Sequence, residues 1–439
     1  MDDRATDVAS APELYTSTTR RFAAAVIQDR IDELSAVVDT GTAVRHRSAD
    51  GAPCHTTTTG DALPDLPSGF RSLGETHHAA ARATADSVYE RSVAPDDAVE
   101  LLARIRAGAR RQSADVTFVQ VRFEEFAQCM TVSRPGEEPR QDTRRRVRTV
   151  VRTTATRTGT TRTSSLMTAA SGWDELLERV AADCPGRRAA ELATGLLTAD
   201  PLPDGELPVV FAGSTGAALI HEVCGHALEG DLLADRRSLF ADRSEPELAS
   251  AVLTVLDDPR LGGWGSYEFD DEGTPARPVA LVEAGRLTGQ VTCRESAHRL
   301  GVPASGHARR IDYQQPPLPR LSNTSVRAGA ERPDALLSGI GHGVLVTEVA
   351  GGHVNPMTGE FTVQVTTGRA IRDGKPAEPL GSGTVRGNVR TALAAIKAVA
   401  DDVSVSDAVC VKRGQHVPVS FSSPSLLVES GLRLSGGRF

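Results

Sequence analysis

The chain has 439 residues, of which 39% are hydrophobic and 24% are charged, a balance typical of a soluble globular protein of two or three domains. The formal net charge of -8 argues against a dedicated nucleic-acid-binding protein. The sequence has no run of 18 apolar residues that could cross a membrane, and its acidic, polar start does not resemble a secretory signal. We therefore expect a cytoplasmic protein whose six scattered cysteines are reduced or act as metal ligands.

The first 200 residues predict a region of mixed helices and strands. Apolar residues at helical spacing predict a helix over residues 11–38, and Pro95 followed by two acidic residues predicts another over 92–112. Two strands are predicted next, over residues 114–132 and 144–165. Residues 172–200 predict two helices that break at Pro185-Gly186.

The second predicted strand is rich in arginine at alternating positions, which is the period of a β-strand. One face of this strand would carry Arg144, Arg146, Arg148 and Arg152. A solvated sheet face is the favoured interpretation, since antiparallel sheets commonly have one wet face. The alternative is a surface that binds an anion or a partner.

The rest of the chain predicts a β-rich region. Residues 201–208 are a candidate linker, and a short strand, VVFAGS, follows them and leads into a helix that contains HEVCGH, residues 221–226. Short strands and turns then continue almost to the C-terminus, with one further helix predicted over 387–403. We therefore predict an α+β protein with an N-terminal α/β region over 1–200 and a β-rich domain over 207–439 that carries the motif helix. A further division of the N-terminal region near 95–112 is the alternative to a single unit.

His221 and His226 lie five positions apart, one more than in the His-Glu-x-x-His motif of zinc peptidases. On a regular α-helix they would point about 140° apart, too far for one ion. A π-type turn would return them to the same side, and Gly225 makes that distortion inexpensive. We therefore predict an irregular helix over 222–226 that binds a metal, with Glu222 as the base that takes a proton from water. The alternative is a buried helix that happens to carry two histidines.

Two histidines are too few for catalytic zinc, which usually has three protein ligands. Cys224 and Cys410 are both candidates for the third, and their spacing does not choose between them, because a free cysteine is often a buried apolar residue. Glu229 and Asp231 could orient an imidazole or be ordinary exposed acids. Histidines of the C-terminal region could replace the cysteine: His307, His342, His353 and His416.

Four stretches resemble the TldD/PmbA metallopeptidase family, on its TldD side, and their order and spacing fit over most of residues 207–439. These stretches are HEVCGHALEGD (221–231), DDEGTP (270–275), GHARRIDYQQPPLPRLSNT (306–324) and CVKRGQHVPVSFSSPSLLV (410–428). The resemblance implies zinc bound by His221, His226 and Cys410, with Glu222 as catalytic base. It also implies a cytoplasmic enzyme that forms a heterodimer with a paralogous PmbA/TldE-like subunit lacking the metal motif, with a homodimer as the other arrangement.

The departures from the family pattern fall outside these ligands: His307 stands where Asn is common, and His353 where Gln often follows the glycines. Candidates for binding the substrate are Arg309, Arg310, Arg320, His307 and His353. The arginines could instead be structural, given how often arginine forms ion pairs. The predicted function is a zinc-dependent peptidase or amide hydrolase that cleaves unfolded peptides or a small peptide-like amide. The alternative is a non-catalytic scaffold or binding subunit of the same kind of complex.

Overall fold

The structure, a computed structural model, describes residues 12–48, 52–60, 62–66, 70–89, 93–242 and 247–437. Within these ranges the chain has an α+β fold, as predicted. Its strands are β1 (Glu13–Ile27), β2 (Arg30–Arg47), β3 (Pro53–Thr59), β4 (Val116–Ser133), β5 (Arg140–Arg157), β6 (Thr160–Ala170), β7 (Gly205–Glu206), β8 (Val209–Phe211), β9 (Val255–Asp257), β10 (Val279–Glu283), β11 (Arg286–Leu287), β12 (Ala308–Arg309), β13 (Leu318–Pro319), β14 (Asn323–Val326), β15 (His342–Val354), β16 (Glu360–Arg372), β17 (Lys375–Leu380), β18 (Gly383–Asn388), β19 (Ile396–Val399), β20 (Ser404–Lys412), β21 (Gln415–Ser423), β22 (Leu426–Val428) and β23 (Leu432–Gly436).

The α-helices are shorter in total and flank or connect the sheets. They are α1 (Arg71–Ala85), α2 (Pro95–Gln112), α3 (Trp173–Ala182), α4 (Pro185–Gly195), α5 (Ser214–Ile220), α6 (Gly230–Ala234), α7 (Arg294–Leu300), α8 (Pro333–Ser338) and α9 (Val389–Ala394). Among the described residues, no helix is both long enough and apolar enough to span a lipid bilayer.

The N-terminal strands form one antiparallel sheet of six strands in the order β3-β2-β1-β4-β5-β6. Helices α2, α3 and α4 share a hydrophobic core with this sheet, in which the Phe123 ring contacts the rings of Phe22 and Trp173. Helix α2, at the suggested division near 95–112, packs against β1 and β4 of the same sheet. The strands before and after α2 therefore belong to one layer.

The helix predicted over residues 11–38 is wrong, because residues 13–38 belong to β1 and β2; residue 11 lies outside the described residues. Strand β1 lies inside the sheet and is buried at most positions, so its apolar residues do not alternate as they would with one wet face. The turn after β1 contains no glycine, and Gln28 itself adopts a φ of 54°. The sequence therefore carries no visible break at this turn.

Several other predicted helices and strands are confirmed, although they begin or end at different residues. The strand predicted over 114–132 is β4, whereas the one predicted over 144–165 is two strands, β5 and β6, that turn at Thr158-Gly159 with positive φ at both residues. Helices α2, α3 and α4 form as predicted, and the last begins at Pro185. The helix predicted over 387–403 is wrong beyond Ala394, because Ile396–Val399 pairs with β22 as strand β19.

The C-terminal part contains two larger sheets with the motif helix between them. One sheet follows the order β19-β22-β8-β15-β16-β18-β23-β7, with β17 paired to β16, and the other follows β11-β10-β9-β14-β21-β20. Helix α5 contacts β15 of the first sheet and β21 of the second. An extensive core of Leu, Val and Phe surrounds the helix and fixes its position.

Buried ion pairs join the N-terminal sheet to the C-terminal part. Arg144 on β5 contacts Asp271 at 2.6 Å, and Arg310 contacts Glu13 on β1 at 3.1 Å. The neighbouring Arg146 donates from Nε to the Trp264 carbonyl at 2.8 Å. The solvated face predicted for the arginine-rich strand is therefore wrong at Arg144 and Arg146, whose partners lie in the C-terminal part of the chain.

Candidate metal centre

The motif helix is irregular at the predicted place. Helix α5 passes into a π-helical turn over His221–Gly225 and then into a 3-10 turn over His226–Leu228. The backbone N–H of His226 donates to the carbonyl of His221, five residues earlier, so the two imidazoles return to one side. Gly225 is closely packed as well, since a Cβ at this position would lie 2.2 Å from Leu321 Cδ1.

His221, His226 and Cys410 converge in space. Their potential ligand atoms all lie within 4.8 Å of one another, and Cys410 Sγ is 3.5 Å from His226 Nε2. Cys410 reaches the helix because it lies on the hairpin of β20 and β21, whose second strand packs against α5. In the described part of the chain, this is the only group of three or more His, Cys, Asp or Glu side chains placed to share an ion.

The three side chains fit a zinc ion. Zinc bonds of about 2.0 Å to nitrogen and 2.3 Å to sulfur, at a tetrahedral angle, separate the two ligand atoms by about 3.5 Å, which matches the distance between Cys410 Sγ and His226 Nε2. The Nε2 atom of His221 is buried and has no hydrogen-bond partner. Such an atom requires an explanation, which a bound cation would supply.

A hydrogen-bond relay sets the tautomer of His221. The buried hydroxyl of Thr324 donates its proton to Asp257 Oδ2 at 3.0 Å, and the same oxygen lies 3.0 Å from His221 Nδ1. Since that hydroxyl proton is already used, the oxygen accepts from His221 Nδ1–H. The lone pair of His221 is thereby placed on Nε2, the atom that faces His226 and Cys410.

The second histidine is oriented by a carboxylate. Glu229 Oε1 lies 3.3 Å from His226 Nδ1, and Glu229 Oε2 lies 2.9 Å from Lys412 Nζ. Burial opposes ionisation of Glu229, but the charge of Lys412 outweighs burial and lowers the pKa of Glu229 to about 2. Glu229 is therefore an acceptor for His226, one of its two predicted roles, while Asp231 pairs with the same lysine at 2.7 Å.

Cys410, unlike Cys224, has the properties of a ligand thiolate. Burial alone would raise the pKa of the Cys410 thiol, but the positive charge of the neighbouring His226 outweighs burial and holds this pKa well below its usual range. Cys224 is fully buried in the hydrophobic core, and burial raises the pKa of its thiol to about 12. The structure therefore places Cys224 among apolar core residues and Cys410 beside the histidines.

Glu222 lies at the edge of the site. It is half-buried on the π turn and packs against Gly352 of β15, where an added Cβ would come within 2.7 Å of Glu222 Cγ. Residues 350–353 of that strand are exposed. The side chain of Glu222, which follows His221 in the chain, therefore contacts an accessible stretch of β15.

The three arginines suggested for substrate binding are buried against protein partners, which favours the structural alternative. Arg320 donates to the carbonyls of Cys410 on β20 and Gln415 on β21, at 2.8 and 3.2 Å, and so connects the two strands of the hairpin that carries the cysteine. Arg309 donates to the Leu321 carbonyl at 2.9 Å, and Arg310 pairs with Glu13.

The remaining histidines lie outside the group of ligand atoms. His307 is buried with Nε2 3.2 Å from Asp257 Oδ1, so it neighbours the carboxylate of the relay behind His221. His353 is exposed beside Gly352, while His342 and His416 are exposed elsewhere. The relay residues Thr324 and Asp257 were not predicted as functional; Thr324 stands in one of the family-like stretches, but a lone threonine gives no signal of its own.

These features define a class: an α+β protein with a buried centre of two imidazoles and one thiolate, and a glutamate beside it, as in metal sites that activate water. Residues 204–436, more than half of the chain, match the PmbA/TldA metallopeptidase C-terminal domain. The chain therefore belongs to the TldD/PmbA metallopeptidase family, as its sequence motifs implied.

Relatives and solved structures agree with this assignment. A metalloprotease of Methanothermobacter thermautotrophicus is 36% identical over 262 residues, which cover 60% of this chain and 58% of that protein. The zinc metalloprotease TldD homolog of Saccharolobus solfataricus is 30% identical over 234 residues, covering 53% of this chain and 52% of that protein. The chain thus spans about half the length of the curated relatives it matches. The crystal structure of TldE from Thermococcus kodakarensis shares the fold, with a TM-score of 0.76, 18% identity, and coverage of 99% of this chain and 98% of that one.

Proposed function

We propose that this chain is a zinc-dependent peptidase or amide hydrolase in which His221, His226 and Cys410 hold the ion. The observation that carries the proposal is the convergence of these side chains beside Glu222, with an unpartnered Nε2 on His221. Zinc bound there would polarise the scissile carbonyl and lower the pKa of water. One relative is named as a zinc metalloprotease, which supports the choice of metal.

Glu222 is the general base of the proposed reaction. Its carboxylate follows a ligand histidine directly in the chain and is only half-buried, so it can exchange protons with a bound substrate. It would take a proton from the attacking water and pass it to the leaving amine. Gly352 has no side chain, and the Glu222 side chain occupies the space that a Cβ at position 352 would fill.

The substrate we propose is an extended peptide or a peptide-like amide. Strand β8 pairs only with Val344–Val346 of β15, although β15 continues to Val354. The part of β15 next to Glu222 therefore has an edge that β8 leaves unpaired, where a peptide could add by main-chain hydrogen bonds. Because main-chain pairing contacts few side chains of the substrate, unfolded segments of many sequences would be favoured. The exposed His353 is the candidate residue for contacting the substrate.

For assembly and location, we propose a cytoplasmic heterodimer with a paralogous subunit that lacks the metal motif. The resemblance to TldD in sequence and the likeness of the fold to TldE support this arrangement. This chain retains its ligands and Glu222, so it would be the catalytic subunit. Light scattering of the chain alone and after co-expression with its paralogue distinguishes the heterodimer from a homodimer.

The test compares zinc content and peptide turnover in matched variants, with and without the paralogue. Glu222→Gln should keep its zinc and its fold while losing roughly 100-fold or more in turnover, the usual contribution of a general base. His221→Ala should lose the zinc as well, whereas Glu360→Gln, an exposed glutamate on β16, should behave like the unchanged chain. Full activity in Glu222→Gln would refute the mechanism, and a metal-free, folded and inactive chain would favour the non-catalytic binding subunit.

A further inference from the structure

On the arginine-rich strand β5, two guanidinium groups have no acidic partner within the described part of the chain. Arg144 pairs with Asp142 and Asp271, and Arg148 pairs with Glu124. Arg145 and Arg146, in contrast, form no ion pair with any described residue. Arg146 donates only to the carbonyls of Trp264 and Ser266, at 2.8 and 2.9 Å, and Arg145 donates to the Ser87 carbonyl.

Arg146 lines a cleft of about 440 Å³ between β5 and the loop over residues 259–268, whereas the Arg145 guanidinium lies at Ser87 on the other face of the strand. The cleft opens where β6 ends, since Ala170 pairs with Val147 and leaves the preceding residues of β5 without a neighbour on that side. Arg260 lies on the opposite wall, half-exposed and only loosely paired, with its Nε 3.6 Å from Asp258 Oδ1. This volume is that of a site for a small organic ligand.

The charge of the cleft is positive. Of its two acidic lining residues, Asp142 is bound to Arg144, and Glu268 is exposed to solvent. Burial, together with the neighbouring charges of Arg144 and Arg309, lowers the pKa of Arg146 to about 9. Arg146 therefore remains a cation at neutral pH, and a buried cation that no anion neutralises is costly.

A hydrogen-bond donor on the loop side of the cleft, in Trp264, also lacks an acceptor. Trp264 Nε1 is buried and has no hydrogen-bond partner among the described residues. Trp264 is 3% exposed, and its backbone carbonyl already accepts from Arg146. Buried N–H groups normally have acceptors, so this one indicates an acceptor that the protein does not itself provide.

We propose that this cleft is a binding site for an oxyanion, the phosphate, sulfate or carboxylate group of a small molecule, held between Arg146 and Arg260. Guanidinium groups favour such anions because their fork of N–H donors matches two oxygens at once. The site is separate from the metal centre, since the cleft is lined by none of the proposed ligands. The arginine-rich strand would then have an anion-binding role, which its sequence predicts as the alternative to a solvated sheet face.

The test is calorimetric titration of the full-length chain with sodium sulfate and, separately, with sodium succinate, in a low-chloride buffer at pH 7. We expect saturable binding at one site per chain that weakens as sodium chloride is added. Arg146→Gln should weaken it by about tenfold or more, because one charge-assisted contact is lost. Preference for sulfate would identify a phosphate-like group as the natural ligand, and preference for succinate would identify a carboxylate.

The control is Arg152→Gln, the same change of charge at an exposed position of the same strand outside the cleft. It should bind as the unchanged chain does. If Arg146→Gln does not fold, Arg260→Gln replaces it, because that side chain is 54% exposed and contributes little to packing. Failure of both anions to bind saturably, or equal weakening by Arg152→Gln and the cleft variant, would overturn the proposal. Either result leaves the proposed peptidase activity untouched.

Discussion

Replacing Thr324 by valine tests whether the relay behind His221 prepares the metal site. The side chain of Thr324 is fully buried, and its hydroxyl connects His221 Nδ1 to Asp257 Oδ2 with two contacts of 3.0 Å. Valine keeps the shape but leaves His221 Nδ1–H without an acceptor, so the imidazole loses the contact that fixes its tautomer. Loss of such an outer contact usually costs about 10- to 100-fold in metal affinity, or roughly 1.4–2.7 kcal/mol.

The assay is competition for zinc between the protein and a chelating dye of known affinity. Thr324→Ser is the matched control, because it keeps the hydroxyl while removing the methyl group, and its zinc affinity should stay close to that of the unchanged chain. Circular dichroism and thermal unfolding establish that both variants fold. Equal zinc affinity in the unchanged chain and in a folded Thr324→Val would refute the idea that this hydroxyl orients the ligand.

Three further predictions concern the base, the sheet and the joint between the two parts of the chain. Gly352→Ala should keep its zinc but lose about 10- to 100-fold in turnover, because the new Cβ would lie 2.7 Å from Glu222 Cγ and displace the base. Steady-state kinetics measures the turnover, and metal analysis of the same sample measures the zinc content. Burial lowers the pKa of His77 to about 4, so His77 is harder to protonate in the folded state than in the unfolded state. The free energy of unfolding should therefore fall by roughly 3 kcal/mol as the pH drops from 6.5 to 4. Urea unfolding of His77→Gln should show a weaker decline over the same pH range. Arg144→Met leaves the buried Asp271 without its ion-pair partner and should cost about 3–5 kcal/mol of unfolding free energy, measured by urea titration.

The irregular motif helix could be predicted because local chemistry determines it. Two histidines five positions apart can share one ion only if the helix widens by one residue, and Gly225 allows that change. The partner from the far end of the chain could not be derived in this way. Cys224 and Cys410 are equivalent by residue type, and only the packing of the β20–β21 hairpin against α5 brings one of them to the histidines.

The errors in the N-terminal region have a common physical cause. Periodicity reports which faces of an element are buried, and β1 is buried at most of its positions, so its pattern does not show a strand. The prediction of a solvated face on β5 is wrong at Arg144 and Arg146 for a related reason. Alternation showed correctly that they share a face, but whether that face meets water or another part of the chain depends on tertiary packing, here on Asp271 and Trp264.

Each proposed ligand is held by a contact that does not involve a metal. His221 is fixed by Thr324, His226 by Glu229, and the backbone of Cys410 by Arg320. These contacts are buried and come from three places in the chain, namely strand β14, the residue before α6 and the segment between β13 and β14, so the protein itself sets the ligand geometry. A site prepared in this way differs from small zinc domains, whose ligands meet only when the metal folds the chain. The proposed substrate edge on β15 is, by contrast, exposed and would bind a substrate through main-chain hydrogen bonds. The enzyme would therefore have one fixed chemical centre and would accept extended substrates of many sequences.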